Sequence, residues 1–90
     1  MTSYYVYMVR CADDTLYSGI TTDVKRRVEE HNSSDKAAKY TRARQPVELV
    51  YQKRCKDRSS AASKEAALKK LSRSEKLKLI SQLDSARRSA

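Results

Sequence analysis

The sequence predicts a small α/β domain of the α+β kind, with elements in the order β-β-α-β-α-α. Three observations carry this. Two short runs rich in β-branched and aromatic residues flank Ala12-Asp13-Asp14 near the N-terminus, a strand–turn–strand pattern. A third such run follows the single proline. The second half is rich in alanine, leucine and lysine at helical spacing. The expected architecture is a three-stranded antiparallel or mixed sheet, made of an N-terminal hairpin plus one later strand, flanked by three helices.

Each element has its own signal. Tyr4 to Arg10 reads as the first strand and Leu16 to Thr21 as its return partner. Thr21, Thr22 or Asp23 can cap the helix that follows. Val24, Val28 and His31 fall at i, i+4 and i+7, a stripe that ends near Asn32-Ser33-Ser34. Residues 35–45 read as an irregular, polar and basic loop. After Pro46, Val47 to Tyr51 is the third strand. From Ser59 a helix places Ala61, Leu68 and Leu71 on one side, and Ser72 with Glu75 forms a capping box that restarts a helix through Leu77, Ile80 and Leu83. Residues 1–84 are expected to form one domain, with 85–90 a frayed, flexible C-terminal tail.

Composition narrows the function. Ninety residues allow one modest core. No apolar run approaches the ~20 residues of a membrane span, and no basic segment precedes an apolar one at the N-terminus. Cys11 and Cys55 are too few for a disulfide scaffold, which suits free thiols in the cytoplasm. A formal charge of +9 points to nucleic acid, with solubility as the bland alternative. The surplus is concentrated at Lys36, Lys39, Arg42, Arg44, Lys53, Arg54, Lys56 and Arg58, against only Glu48 and Asp57.

Many familiar sites are excluded. One glycine is too few for a phosphate-cradling loop or a dinucleotide fingerprint, so no organic cofactor is expected. One histidine and two dispersed cysteines cannot form an ordinary zinc site. Nothing marks a nucleophile elbow. What remains is Tyr5-Val6-Tyr7, then Tyr17-Ser18-Gly19 ten residues on, then Arg27 and His31 one helical turn apart. Two phenols, a guanidinium and an imidazole suit phosphate chemistry.

The layout YVY, YSG and TTDVKRRVEEH resembles the GIY-YIG nuclease superfamily, and more narrowly its small stand-alone YhbQ-like bacterial branch. AKYTRARQPVELVY and EAALKKLSRSEKL are similar to that branch's middle and C-terminal segments, so the resemblance spans residues 4–83. Tyr5 and Ser18 depart from the name-giving pattern, at positions where glycine and an aliphatic residue are usual. The late active-site asparagine of larger members has no match, since Asn32 lies in another segment.

The resemblance implies roles. Tyr7 is implied to be a general base or proton relay; a free phenol has a pKa of ~10, so a base here needs a nearby metal or cation to lower it. Tyr17 is implied to bind the phosphate or its attacking water, and Arg27 to clamp the scissile phosphate. His31 would relay a proton or hold phosphate. Glu65, on the inward face between Ala61 and Leu68, is implied to hold one Mg²⁺ (or Mn²⁺). Gly19 would permit close backbone approach, and Lys39, Tyr40, Thr41 and Arg42 would contact substrate. The plainer alternatives are a packed strand tyrosine at 7, an Arg27–Asp23 pair, and a Glu65 pair with Lys64 or Lys69.

A geometric requirement follows. An even hairpin loop centred on Asp13 and Asp14 pairs Tyr7 with Ile20 and turns Tyr17 to the other face. A shared site needs an odd loop or a bulge. The expected function is metal-dependent cleavage of DNA by a nuclease, in a repair or processing setting; the sequence leaves the oligomeric state open, with a monomer slightly favoured. The alternatives are a weakly active or inactive nucleic-acid-binding module, and a protein-interaction domain.

Overall fold

The computed structural model describes residues 3–33 and 35–89, with side chains as far as Gln82; Ser34, the Leu83 side chain and Ala90 lie outside the described residues. The elements are β1 (Tyr4–Arg10), β2 (Leu16–Thr21), α1 (Val24–His31), α2 (Lys39–Arg42), β3 (Glu48–Cys55), α3 (Arg58–Lys70) and α4 (Arg73–Ser89). The expected order holds, with one addition: a single helical turn, α2, inside the basic loop. One turn is too short for periodicity to reveal. β3 runs four residues past Tyr51, and α4 covers most of the segment expected as a tail.

The sheet is wholly antiparallel, in the order β2-β1-β3. β1 is therefore the central strand, and Val6, Tyr7, Met8 and Val9 are all buried, as a strand covered on both faces requires. Val6 and Met8 face α3 and α4, in a core with Ala61, Leu68 and Ile80. Tyr7 and Val9 face the opposite side, with Cys11, Val47, Val28 and Leu49. Between Met8 and Val9 the register with β3 shifts: Met8 pairs with Tyr51 and Val9 with Leu49, leaving Val50 as the extra residue of a bulge.

The hairpin loop, Cys11–Thr15, is odd. β1 pairs with β2 as Tyr7↔Gly19 and Val9↔Tyr17, so both phenols lie on one face. Asp14 supplies the left-handed residue of the turn, with φ 67. The Asp13 carboxylate accepts from the Thr15 amide and hydroxyl, which closes the turn locally.

Local capping fixes the helices around this sheet. Asp23 caps α1 through the Arg26 amide, and Asp57 caps α3 through the Ser60 amide. The capping box at the start of α4 is reciprocal, with Glu75 N–H donating to Ser72 Oγ and Ser72 N–H to Glu75 Oε1. Asn32, the C-cap of α1, bonds both backbone groups of Val47: its Nδ2 donates to the carbonyl at 3.0 Å and its Oδ1 accepts from the amide at 2.7 Å. That side chain ties the end of α1 to the start of β3.

Candidate active site

The site is built on the α1 face of the sheet. Tyr7 projects from the central strand and is 1% exposed. Its ring lies across Gly19 on the neighbouring strand: a Cβ built at 19 would stand 2.6 Å from Tyr7 Oη and 2.8 Å from Cζ. Glycine at 19 is thus what lets the phenol cross β2. The close approach at Gly19 is that of the Tyr7 side chain, where the sequence suggested backbone.

One turn of α1 sets Arg27 and His31 on a common stripe facing this phenol. His31 is fully buried, and its Nε2 lies 2.7 Å from Tyr7 Oη. On the other side of the ring, Nδ1 lies 2.8 Å from Thr41 Oγ1. The Tyr17 ring meets the imidazole edge-on, with centroids 5.3 Å apart. Arg27 donates to Glu30 at 3.0 Å and to the Lys36 carbonyl at 3.1 Å, and its charge is felt at the Tyr7 hydroxyl. The Asp23 carboxylate, the alternative partner for Arg27, is engaged by the Arg26 amide instead.

Burial dominates the titration of these groups. It pushes the Tyr7 phenol up to about 12; the Arg27 charge pulls the other way, while Tyr17 and Glu65 add to the rise. This corrects the expectation of a phenol with lowered pKa, since one cation does not offset the loss of water around the ring. Burial, reinforced by the Arg27 charge and opposed by Glu30, brings His31 down to about 4, so the imidazole is neutral at pH 7. Burial also opposes the charge on Arg27, but Glu30 and the Tyr7 hydroxyl outweigh it and leave its pKa raised.

Glu65 belongs to α3, on the far face of the sheet. α3 packs against β2 as well as β1, and the Glu65 carboxylate is close enough to the phenol for its charge to raise the Tyr7 pKa. It also pairs with Lys69 at 3.7 Å, so the plainer alternative for this acid is present too. Among the described residues no group of three or more His, Cys, Asp and Glu converges on one point. A single half-buried carboxylate fits an ion that keeps several waters and takes substrate phosphate oxygens as its other ligands, which is the habit of Mg²⁺.

The loop residues divide. Lys39 and Arg42 are exposed, and Tyr40 is 37% exposed. Thr41 is fully buried and its hydroxyl is occupied by His31 and the Ala38 carbonyl, so it faces inward instead of contacting substrate. Sequence reasoning counted Arg44 only within the basic surplus and missed its stack. Its guanidinium stacks 4.0 Å over the Tyr40 ring, which in turn stacks on Tyr17 with centroids 5.6 Å apart. Arg44 is further held by Asp13 at 3.0 Å and the Tyr40 carbonyl at 2.8 Å. The signal was available: Tyr40 and Arg44 stand four apart, one above the other on a helical turn.

Comparison with known proteins agrees with this geometry. The family model of the GIY-YIG catalytic domain matches residues 3–78. A UPF0213 protein of Desulfotalea psychrophila is 55% identical over 78 residues, covering 87% of this chain and 71% of its own length. Another from Syntrophus aciditrophicus is 46% identical over 82 residues, covering 91% and 94%. The solution NMR structure of a UPF0213 protein from Bacillus halodurans superposes with a TM-score of 0.57 at 42% identity, covering 89% of this chain and 84% of that one. The likeness runs from the first strand into the last helix, and the chain belongs to the GIY-YIG family, in its small stand-alone UPF0213, or YhbQ-like, branch.

Proposed function

We propose that this protein is a phosphodiesterase that hydrolyses DNA, using residues 1–84 as a single catalytic domain. One observation carries the reading: a buried phenol–imidazole pair, 2.7 Å apart, set beside a buttressed guanidinium on a strongly basic domain. A protein that only bound nucleic acid would have no need to bury that pair.

In this reading Arg27 and Tyr17 hold the non-bridging oxygens of the scissile phosphate, and Arg27 offsets the charge that develops in the transition state. The attacking water gives a proton to Tyr7 Oη while the phenol passes its own proton to His31. A relay of this kind does not need the phenol to ionise first, which its pKa of about 12 forbids at neutral pH. Glu65 would hold one Mg²⁺ or Mn²⁺, which when bound supplies electrostatic stabilisation to the phosphate and the leaving oxygen. Exposed Lys39, Tyr40 and Arg42, together with the basic residues of β3 and the start of α3, track the backbone with little sequence readout.

Two features favour a second reading, a weakly active binding module acting within a repair or processing complex: the Glu65–Lys69 pair and the raised phenol pKa. Incubation with Mg²⁺ and branched, nicked, single- and double-stranded DNA separates the two. The nuclease reading expects metal-dependent product that is lost in Tyr7→Phe and Glu65→Gln. Salt-sensitive binding with no product, or product that survives both substitutions, contradicts it. The buried free thiols, Cys11 and Cys55, suit a reducing cytoplasm.

A further inference from the structure

The direction of the hydrogen bonds around His31 is determined by which groups can accept. Tyr7 Oη has one hydrogen-bond partner among the described residues, His31 Nε2 at 2.7 Å. The nearby Arg27 guanidinium offers donors and no acceptor. If Nε2 carried the imidazole proton, Oη would be the acceptor, and its own buried proton would have no described acceptor. Leaving such a buried group unsatisfied is unfavourable. With the proton on Nδ1 every group is served: Tyr7 Oη donates to Nε2, Nδ1–H donates to Thr41 Oγ1 at 2.8 Å, and the Thr41 hydroxyl donates to the Ala38 carbonyl at 3.2 Å. The Ala38 carbonyl also takes the Arg42 amide, so the chain of bonds ends on the backbone of α2.

We propose that Thr41 is a positioning residue that holds the His31 imidazole in its Nδ1–H form, keeping Nε2 open to receive the Tyr7 proton. Its place in the reaction rests on the nuclease reading above; its effect on the imidazole does not. In the chemical step a water O–H bond breaks and an Oη–H bond forms. The original Oη–H bond breaks as Nε2–H forms, hydroxide adds to phosphorus as the P–O ester bond breaks, and its electron pair leaves on the ester oxygen, which takes a proton from solvent. The proton ends on an imidazolium whose Nδ1–H still rests on Thr41. The short helix α2 thereby has a purpose beyond displaying basic side chains. It brings an acceptor, already committed by its own proton, to the back of the only histidine in the chain.

That single histidine makes the test direct, because ¹⁵N-histidine labelling gives one imidazole to read. The wild-type protein is expected to show protonated Nδ1 and unprotonated Nε2. Thr41→Val, which keeps the shape and removes the acceptor, should move the population towards Nε2–H, and Thr41→Ser should restore it. Cleavage should fall about 10²-fold in Thr41→Val with KM within about two-fold, and recover in Thr41→Ser. An Nε2–H form in the wild type, or an unchanged Nδ1–H form in Thr41→Val, overturns the proposal. A tautomer shift with an unchanged rate removes Thr41 from the reaction. A wild-type protein that cleaves nothing counts against the nuclease reading alone, and the spectrum still decides what Thr41 does to His31.

Discussion

Tyr7 and Gly19 face each other across the β1–β2 ladder, and the ring of one fills the space that a side chain on the other would need. The pair explains why the chain places its one glycine at this position. It also sets the first prediction.

Gly19→Ala should be costly despite its size. The new methyl meets Oη and Cζ of Tyr7 inside normal contact distance, and the ring is closed in on a fully packed strand. Overpacking of this kind costs about 1–3 kcal/mol. Chemical denaturation should show that loss, and cleavage should fall because the hydroxyl is displaced from His31. Unchanged stability together with unchanged cleavage would mean the ring has another place to go.

The buried histidine predicts a pH dependence of stability. Its pKa of about 4 in the folded state lies below the ~6.5 of an unfolded chain, so the unfolded state binds more protons between those values. The contribution is therefore present above pH 6.5 and is lost as pH falls towards 4. It amounts to roughly 2 kcal/mol between pH 7 and 5. Hydrogen bonds from Thr15, Ser60 and Ser72 hold Asp13, Asp57 and Glu75 below their ordinary carboxylate range, outside this window. Urea denaturation at pH 7 and 5 should show the slope in the wild type and a flat response in His31→Gln. Equal slopes in both proteins would remove His31 as the cause.

Arg44 should matter for substrate and little for folding. Its pair with Asp13 is about one-third exposed on the arginine side, and such pairs contribute about 0–1 kcal/mol. Arg44→Lys keeps the charge but loses the planar stack on Tyr40 and the fixed fork. We expect KM to rise several-fold with kcat nearly unchanged, and a change in stability within about 1 kcal/mol. A fall in kcat at constant KM would place Arg44 in the chemistry instead of in binding.

Asn32→Ala tests the tie between α1 and β3. It leaves the amide and carbonyl of Val47 without their partner, at a cost of about 1–3 kcal/mol. Thermal unfolding measures it. A shift no larger than that of an exposed helix substitution would show that water replaces the side chain at little cost.

Much of this arrangement was legible in the sequence because it rests on local rules. The strands at Tyr4–Arg10 and Leu16–Thr21 follow from composition, and the capping box at Ser72 from residue type; loop parity stated what a shared face for Tyr7 and Tyr17 requires, and the structure supplies it. The features that were missed depend on contacts between distant segments. Thr41 looked like a surface residue because its neighbours, Lys39, Tyr40 and Arg42, are polar, yet a single helical turn rotates it onto a histidine ten positions away. The phenol pKa was misjudged for a related reason. The cation beside Tyr7 could be guessed from Arg27, but the depth of burial could not, and burial proved the larger effect.

The phenol and the acid come from different layers: Tyr7 faces α1, while Glu65 belongs to α3, which packs on the other face and against β2, and its charge still reaches the phenol. A nascent or partly unravelled chain that has docked only one layer therefore lacks half of the proposed site. On the proposed nuclease reading the site is competent only once both layers close, so the unfinished chain cannot cut and a cleavage assay doubles as a gauge of completed folding.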